Sequence, residues 1–423
     1  MKYALAFPLR PNAWAALPPR YWALADQALV SGTTFLTNLF VARMLGLRTF
    51  GEFGAWQMGL LLVLAVQGAL ITQPLQVVLA GVPARQHPVY RRALLGMQGG
   101  YGVLAAALAV AVALVLRPQA GAVLPAFVVY LVAAGWQDTL RKLLLAEARL
   151  PLALLTDAVS CGGQLLVLLY WVATGRPVPL PAVFWAMGLT TVPALGLAGA
   201  SLRPGRPAGP GWWHFGRQHW QQARWLLPTA ALQWLSGNVL LVLAGLREPL
   251  ATLGILRLAQ TLMGVFNVGL QAAENYVLPR LSQSLRQSPA LFRRQRAALT
   301  RRMLALAAGP LLALALLADP LVAWLQADQA AYSHVLRWCC LLYVVILLVY
   351  PLRLTVRLLP STRPYFVGYA LSIGVSVLSA GWLLARWQAT GVVLGWIGAQ
   401  LVLGLYWSFI LSRRRLSHPS PHA

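Results

Sequence analysis

Acidic side chains are nearly missing from this sequence, which holds nine Asp and Glu among 423 residues against 34 Lys and Arg. Charged residues of both signs make up only 10%. A soluble globular domain usually carries about 25%, so this chain cannot cover itself with a solvated surface. Cysteine is equally sparse. Cys161, Cys339 and Cys340 sit inside apolar blocks at spacings that suit neither a metal site nor a disulfide framework, and they read as small packing residues. The sequence lacks a Gly-rich phosphate loop, a metal-ligand His pair and an acidic pair on a long polar loop, which argues against an enzyme. His87, His214, His219 and His334 fall at scattered loop or interface positions, and His418 and His422 in a polar tail. No cofactor and no metal is expected. No short apolar region followed by a small-residue cleavage site precedes the first long block, which reads as a retained helix.

What the chain has in quantity is apolar length. Hydrophobic residues make up 59%, the mean hydropathy is +0.66, and the apolar residues come in blocks of roughly 20, enough for a helix to cross a bilayer. Twelve spans are expected, at about 21–43, 53–80, 93–116, 123–146, 150–174, 181–202, 225–246, 251–279, 303–326, 335–358, 364–386 and 390–411. With the first span starting inside, every inner segment holds at least three basic residues and no outer segment more than two. That is the positive-inside rule, and it places both termini in the cytoplasm. The net charge of +25 is accounted for by this alternation, so nucleic acid is not an expected partner. The organisation that follows is residues 1–202 as a first lobe, 203–224 as a cytoplasmic linker, 225–412 as a second lobe and 413–423 as a cytoplasmic tail. Trp212, Trp213, His214, Phe215, Arg217, His219 and Trp220 in the linker suit a segment lying among lipid headgroups. The arginine-rich stretch 280–302 suits the anionic inner leaflet.

The two lobes carry a repeat. Asn38 is followed by Gly46-Leu47-Arg48 and then Gly54; Asn238 is followed by Gly245-Leu246-Arg247 and then Gly254. At the same offset Gln57 corresponds to Arg257 and Gln67 to Asn267. The first two spans therefore resemble the seventh and eighth. An even number of spans from one copy to the next makes the copies parallel, related by an axis along the membrane normal.

Polar groups at bilayer depth are expensive, about 2.5–3.5 kcal/mol for a charge at a helix centre. The eighth span holds Arg257, Gln260, Gly264, Asn267, Gln271 and Glu274 at spacings of 3, 4, 3, 4 and 3, which keeps all six on one face. Arg257 and Glu274 lie about 25 Å apart along the axis and cannot neutralise one another, so a water-filled cavity explains both. The first span has a weaker stripe, Gln27, Ser31, Thr34 and Asn38, with Asp26 beside it; the seventh offers Thr229, Gln233 and Ser236, and the second Gln57 and Gln67. Interhelical hydrogen bonding alone would also use such Ser, Thr and Gln positions. Asp138 is expected to pair locally with Arg141 or Lys142. Asp157, with no basic residue nearby in sequence, is a candidate proton site. Asp319 and Asp328 read as interface residues.

The run Val41-Ala42-Arg43-Met44-Leu45-Gly46-Leu47-Arg48-Thr49-Phe50-Gly51-Glu52-Phe53-Gly54 resembles the first-helix signature of polysaccharide flippases, an Arg-x-Leu-Gly motif before an outer loop ending in Phe-Gly. Leu253-Gly254-Ile255-Leu256-Arg257-Leu258-Ala259-Gln260, ending in Leu278-Pro279-Arg280, is similar to their eighth helix. The resemblance is to the lipid-linked oligosaccharide flippase branch of the multidrug/oligosaccharidyl-lipid/polysaccharide exporter superfamily. It implies an all-α membrane protein of two six-helix lobes around a central cavity in the bacterial inner membrane, with no catalysis. It implies a polyprenyl-pyrophosphate-linked oligosaccharide as cargo, membrane lipids and a proton or sodium ion as further partners, and polysaccharide assembly proteins as candidate ones. On this expectation Arg257 attracts pyrophosphate, helped at the outer rim by Arg43, Arg48 and Arg247. Gln260, Asn267, Gln271, Asn38 and Asn238 bind sugar hydroxyls, and Glu274, Asp157 or Asp26 couples transport to the ion. The rivals are a drug exporter of the same fold, a membrane-embedded polysaccharide polymerase or ligase, and a structural membrane subunit. The chain's twelve spans match the shorter members of the superfamily rather than its fourteen-span lipid II flippases.

Overall fold

The computed structural model describes residues 19–116, 121–202, 212–325, 332–359 and 363–413, and no β-strand occurs among them. In chain order the helices are α1 (Pro19–Gln67), α2 (Gln73–Gly81), α3 (His87–Leu116), α4 (Leu124–Ala146), α5 (Leu150–Thr174), α6 (Leu180–Leu189) and α7 (Val192–Ser201), then α8 (Trp212–Arg247), α9 (Leu250–Gln287), α10 (Pro289–Leu316), α11 (Ala318–Leu325), α12 (Ser333–Arg357) and α13 (Arg363–Arg413). A π-helical turn, Gly68–Thr72, joins α1 to α2. Proline opens α4, α5, α6, α7 and α10 in the first turn, where its missing N–H costs nothing. Gly175, at φ 61°, ends α5 in the left-handed conformation that glycine adopts freely.

Nine helical stretches among the described residues are long and apolar enough to cross a membrane. Two of them, Leu24–Gly81 at 58 residues and Arg363–Arg413 at 51, are each long enough to cross twice. Each is broken by one non-helical residue: Gly46 (φ 76°, ψ 160°) and Gln388 (φ 44°, ψ −120°). α4 carries Asp138, Arg141 and Lys142 and is a further stretch of spanning length. Divided at the two breaks and with α4 counted, the described helices are consistent with the twelve expected spans. α6 and α7 form a single crossing, interrupted where the Thr190 and Thr191 hydroxyls turn back to the Ala186 and Met187 carbonyls at 2.7 and 2.9 Å.

Two expected surface segments are continuous with spans: Trp212–Arg224 forms the first turns of α8, and the arginine-rich stretch 280–302 is divided between the end of α9 and the start of α10. The Ser288 side chain, between them, accepts from the Ala290 N–H as the cap of α10. The expected linker residues 203–211 and the tail 414–423 lie outside the described residues.

The halves of the chain meet where the repeat begins. Lipid is as apolar as leucine, so helices in a membrane gain from close approach of small residues rather than from the hydrophobic effect. A Cβ on Gly51 would land on the Leu250 carbonyl, and one on Gly254 would land on the Leu47 carbonyl. Around these two contacts Phe50, Phe53 and Val41 from α1 pack with Val239, Leu240 and Ala244 from α8 and with Leu253, Ile255 and Leu256 from α9, all buried.

α8 belongs to both halves. At its start Phe215 packs with Tyr90, Leu94 and Leu143 of the first half. His219, 2% exposed, meets the Tyr90 hydroxyl at 2.8 Å and the Leu70 carbonyl of the π turn at 3.3 Å. At its far end Leu240 sits against Gly395 of α13. Between these attachments Trp225 (72% exposed), Thr229, Gln233 and Gly237 are uncovered, and Pro228 interrupts the hydrogen-bond ladder.

Replacing Gly254 by Val should force α1 and α9 apart. In a background with Cys161, Cys339 and Cys340 replaced, spin labels at positions 48 and 247 should report a longer mean distance, and overpacking should lower stability by about 1–3 kcal/mol. An unchanged distance distribution would show that the glycine contact does not hold the outer ends together.

Candidate functional site

The residues expected to bind cargo occupy two zones. The first is the end at which α1 and α9 meet along Gly51 and Gly254. Arg257, half-buried, lies flat on Gly54, the repeat counterpart of Gly254: a Cβ on Gly54 would come within 2.6 Å of its Cγ. One terminal nitrogen of Arg257 donates to the Gly54 carbonyl and the other to the Gln260 side-chain oxygen, both at 3.2 Å. Its Nε is sealed from solvent without a hydrogen-bond partner. Arg257 thus ties the second half to the first at the head of the polar stripe. Arg43, Arg48 and Arg247 are exposed at the same end, and the Arg43 guanidinium lies 4.3 Å from the ring centre of Trp324 in α11. Gln57, the counterpart of Arg257, turns instead toward the Tyr130 hydroxyl of α4.

The second zone consists of partly exposed polar positions on α1, α8 and α9. The outer portion of α9 is buried, but from Val265 (59% exposed) through Asn267 and Gly269 the helix is uncovered at alternate positions. Asn267 is within hydrogen-bond reach of Tyr343 of α12. The side chains of Gln271 and Glu274 lie outside the described residues. On α1, Gln27 donates to the Ser31 hydroxyl at 3.0 Å, and Thr34 and Asn38 donate to their own helix carbonyls one turn back at 2.8 Å. Asn238 on α8 repeats the behaviour of Asn38, donating to the Trp234 carbonyl at 2.9 Å. The hydrogen bonds of these stripe residues on α1 and α8 stay within their own helices. Each asparagine keeps one amide hydrogen and its oxygen available.

Sequence reasoning singled out Asp26 and Asp157 but missed the arginine that joins them. Arg141 of α4 does not pair with Asp138; Lys142 does, at 3.0 Å, as an i,i+4 ion pair. Arg141 reaches between α1 and α5, forming ion pairs with Asp26 and, at 2.7 Å, with Asp157. Asp26 and Asp157 are 3% and 1% exposed, shut off from lipid and from bulk water alike. The two carboxyls are within hydrogen-bond reach of each other. Gln137 donates to Asp157 Oδ1 at 3.1 Å and accepts from the Ser160 hydroxyl at 3.1 Å, while Asp26 Oδ1 has no partner. Two carboxyls around one guanidinium sum to −1 when both are ionised and to zero with one proton added. A hydrogen bond from carboxyl to carboxyl requires that proton. The signal in the sequence was a second polar face on the first span, Asp26, Thr33 and Thr37, all buried. Gln164 of α5 donates to Thr37 at 2.6 Å.

Gln67 belongs to neither zone. It is 1% exposed inside the first half, where it donates to the Gly135 carbonyl at 2.9 Å and to Thr139 at 3.1 Å, and accepts from Gln98 at 3.3 Å. Its correspondence to Asn267 in the repeat therefore does not extend to its surroundings. No group of three or more His, Cys, Asp or Glu side chains that could hold a metal occurs among the described residues.

Comparison with known proteins gives a fold but no close relative. No protein-family model and no curated protein matches the chain. Among solved structures it is similar to the lipid II flippase MurJ in an inward closed conformation, with a TM-score of 0.63, 10% identity, and coverage of 93% of this chain and 87% of that one. It is also similar to an outward-facing multidrug resistance MATE family transporter, with a TM-score of 0.58, 14% identity and coverage of 94% and 95%. An inward-facing MATE structure matches with a TM-score of 0.51, 13% identity and the same coverage. These comparisons, with a helical architecture that meets itself along glycines at the start of an internal repeat, show that the chain has the fold shared by MurJ and the MATE transporters of the multidrug/oligosaccharidyl-lipid/polysaccharide exporter superfamily.

Proposed function

We propose that the protein is an alternating-access flippase that carries a polyprenyl-pyrophosphate-linked oligosaccharide across the bacterial inner membrane, driven by an ion gradient. The observation that carries the reading is Arg257. It is a guanidinium with one nitrogen left unpaired, placed where the two halves meet and at the head of a polar face that becomes uncovered about two turns further on. Such a group attracts a pyrophosphate and repels the cations that a drug exporter handles. In this reading residues 1–202 and 225–412 act as the two lobes, with both termini cytoplasmic.

Arg257 holds the outer ends closed through Gly54 until the pyrophosphate competes for its terminal nitrogens. Arg43, Arg48 and Arg247 offer the next positive charges at the outer rim. Gln260, Asn267 and Gln271, with Asn38 and Asn238 across the opening, bind sugar hydroxyls through amide groups while the polyprenyl tail stays in lipid. The Asp26–Arg141–Asp157 cluster takes and releases the coupling ion. The contact between its carboxyls favours a proton over sodium, since one proton neutralises the cluster. Neutralising it weakens the hold of α4 on α1, and so links the ion to the angle of the first span. Glu274 remains the second carboxylate in the path.

Arg257→Ala, expressed in a deletion strain, should insert normally yet lose most surface polysaccharide and accumulate polyprenyl-linked repeat units by mass spectrometry, with Arg257→Lys intermediate. Full export by Arg257→Ala would remove the role given to this residue. The deletion strain should keep its resistance to toxic cations; loss of that resistance with normal polysaccharide would favour a drug exporter.

Asp157→Asn preserves the shape of the side chain and removes its charge. In proteoliposomes it should abolish acceleration of lipid-linked oligosaccharide transfer by an imposed pH gradient, while gradient-free exchange persists. If Asp26→Asn and Asp157→Asn both retain gradient-driven transfer, coupling lies elsewhere, with Glu274 the next residue to replace.

A further inference from the structure

From residue 329 to its C-terminus the sequence contains no Asp or Glu, although arginine recurs throughout. Arg337, at the other end of α12, borrows Asp319 from α11 at 2.5 Å. Arg353 makes none of the ion pairs found among the described residues. It is half-buried near the end of α12, with Arg357 one turn further on, and both act electrostatically on Tyr369 of α13. Like charges at i and i+4 repel, so the sequence places two arginines where each raises the cost of the other.

The surroundings of Arg353 are aromatic and firmly built. Its guanidinium carbon lies 5.8 Å from the ring centre of Tyr350, whose hydroxyl donates to the Leu270 carbonyl at 2.7 Å and is thereby committed to α9. The Tyr365 hydroxyl is in hydrogen-bond reach of Arg353, and Tyr365 and Tyr369 bring their hydroxyls to 3.5 Å of each other. Both rings pack on Trp407, at 6.0 and 5.9 Å between centres, and the Trp407 indole donates to the Pro364 carbonyl at 3.2 Å. Arg353 Nε is sealed from solvent without a partner. An arginine that merely snorkels puts its whole head in water. This one keeps part of its head under a lid of tyrosines.

A buried cation without a carboxylate is costly unless an anion comes from elsewhere. We propose that the arginine-rich ends of α12 and α13 hold a phosphate group, bound by Arg353 together with the hydroxyls of Tyr365 and Tyr369. A guanidinium fork and phenolic donors match a tetrahedral oxyanion. Arg357 adds charge at the exposed rim. Phe366 and Val367, 52% and 39% exposed on the same turn of α13, offer apolar surface beside the site. That surface suits the chain of an anionic lipid; a free phosphate would use only the polar part. The site is remote from Arg257 and does not depend on the identity of the transported cargo.

The test is native mass spectrometry of the purified full chain in neutral detergent, titrated with phosphatidylglycerol, with diacylglycerol as the phosphate-free control and inorganic phosphate as competitor. Wild type should bind phosphatidylglycerol at least tenfold more tightly than Arg353→Gln, with Arg353→Lys and Tyr365→Phe in between. Competition by millimolar inorganic phosphate would identify a free phosphate as the ligand, and its absence the lipid headgroup. If Arg353→Gln is unstable, the comparison is made with Arg353→Lys and Tyr365→Phe at unchanged melting temperature. Equal binding of phosphatidylglycerol by wild type and all variants, or equal binding of diacylglycerol, would overturn the proposal.

Discussion

The two halves of the molecule meet backbone to backbone at the start of the repeat, with buried apolar side chains packed around the contact. Gly51 against Leu250 and Gly254 against Leu47 bring main chains to a distance that any Cβ would prevent. In lipid, where apolar side chains gain nothing by leaving their surroundings, such contact is among the few sources of helix adhesion. Arg257 lies over Gly54 for the same reason: only the absence of a side chain leaves room for the guanidinium to reach the carbonyl. The closeness of this seam is set by a few glycines, and the buried apolar side chains of α1, α8 and α9 pack around it.

The scarcity of acid organises the rest. In the first half every described buried carboxylate is engaged by a basic residue: Glu147 by Arg91 and Arg149, Asp138 by Lys142, and Asp26 with Asp157 by Arg141. The closing spans of the second half have no acid to offer their arginines. The halves are related in backbone and opposite in electrostatics. One holds a buried carboxyl pair around Arg141, while the closing spans of the other carry arginines and no carboxylate.

The sequence made the spans and their order legible because apolar length and the alternation of arginine follow from the bilayer itself. Gly46, Gly54, Gly245 and Gly254 stood out as a repeat; close approach at Gly54 and Gly254 and a positive φ at Gly46 are what glycine supplies. The local pair of Asp138 with Lys142 was legible from spacing, whereas the reach of Arg141 to Asp26 and Asp157 was not, because it joins three helices far apart in sequence. The π turn at Gly68–Thr72 and the buried network around Gln67 were equally hidden, since an amide committed to three neighbours reads the same as one facing water. Trp212–Arg224 looked like a headgroup segment because Trp and Arg suit that layer. The same residues also suit a helix whose buried side is Phe215 and His219.

α8 is fastened at one end to the first half through His219 and Phe215 and at the other to α13 through Leu240, with its middle uncovered and Pro228 within it. A rod anchored to two bodies cannot stay straight when they rotate against each other. Proline deletes the hydrogen bond that would stiffen it and is therefore well placed to absorb the bend. Mechanically, α8 is a flexure: its curvature records the angle between the halves, and its stiffness sets the work of changing that angle.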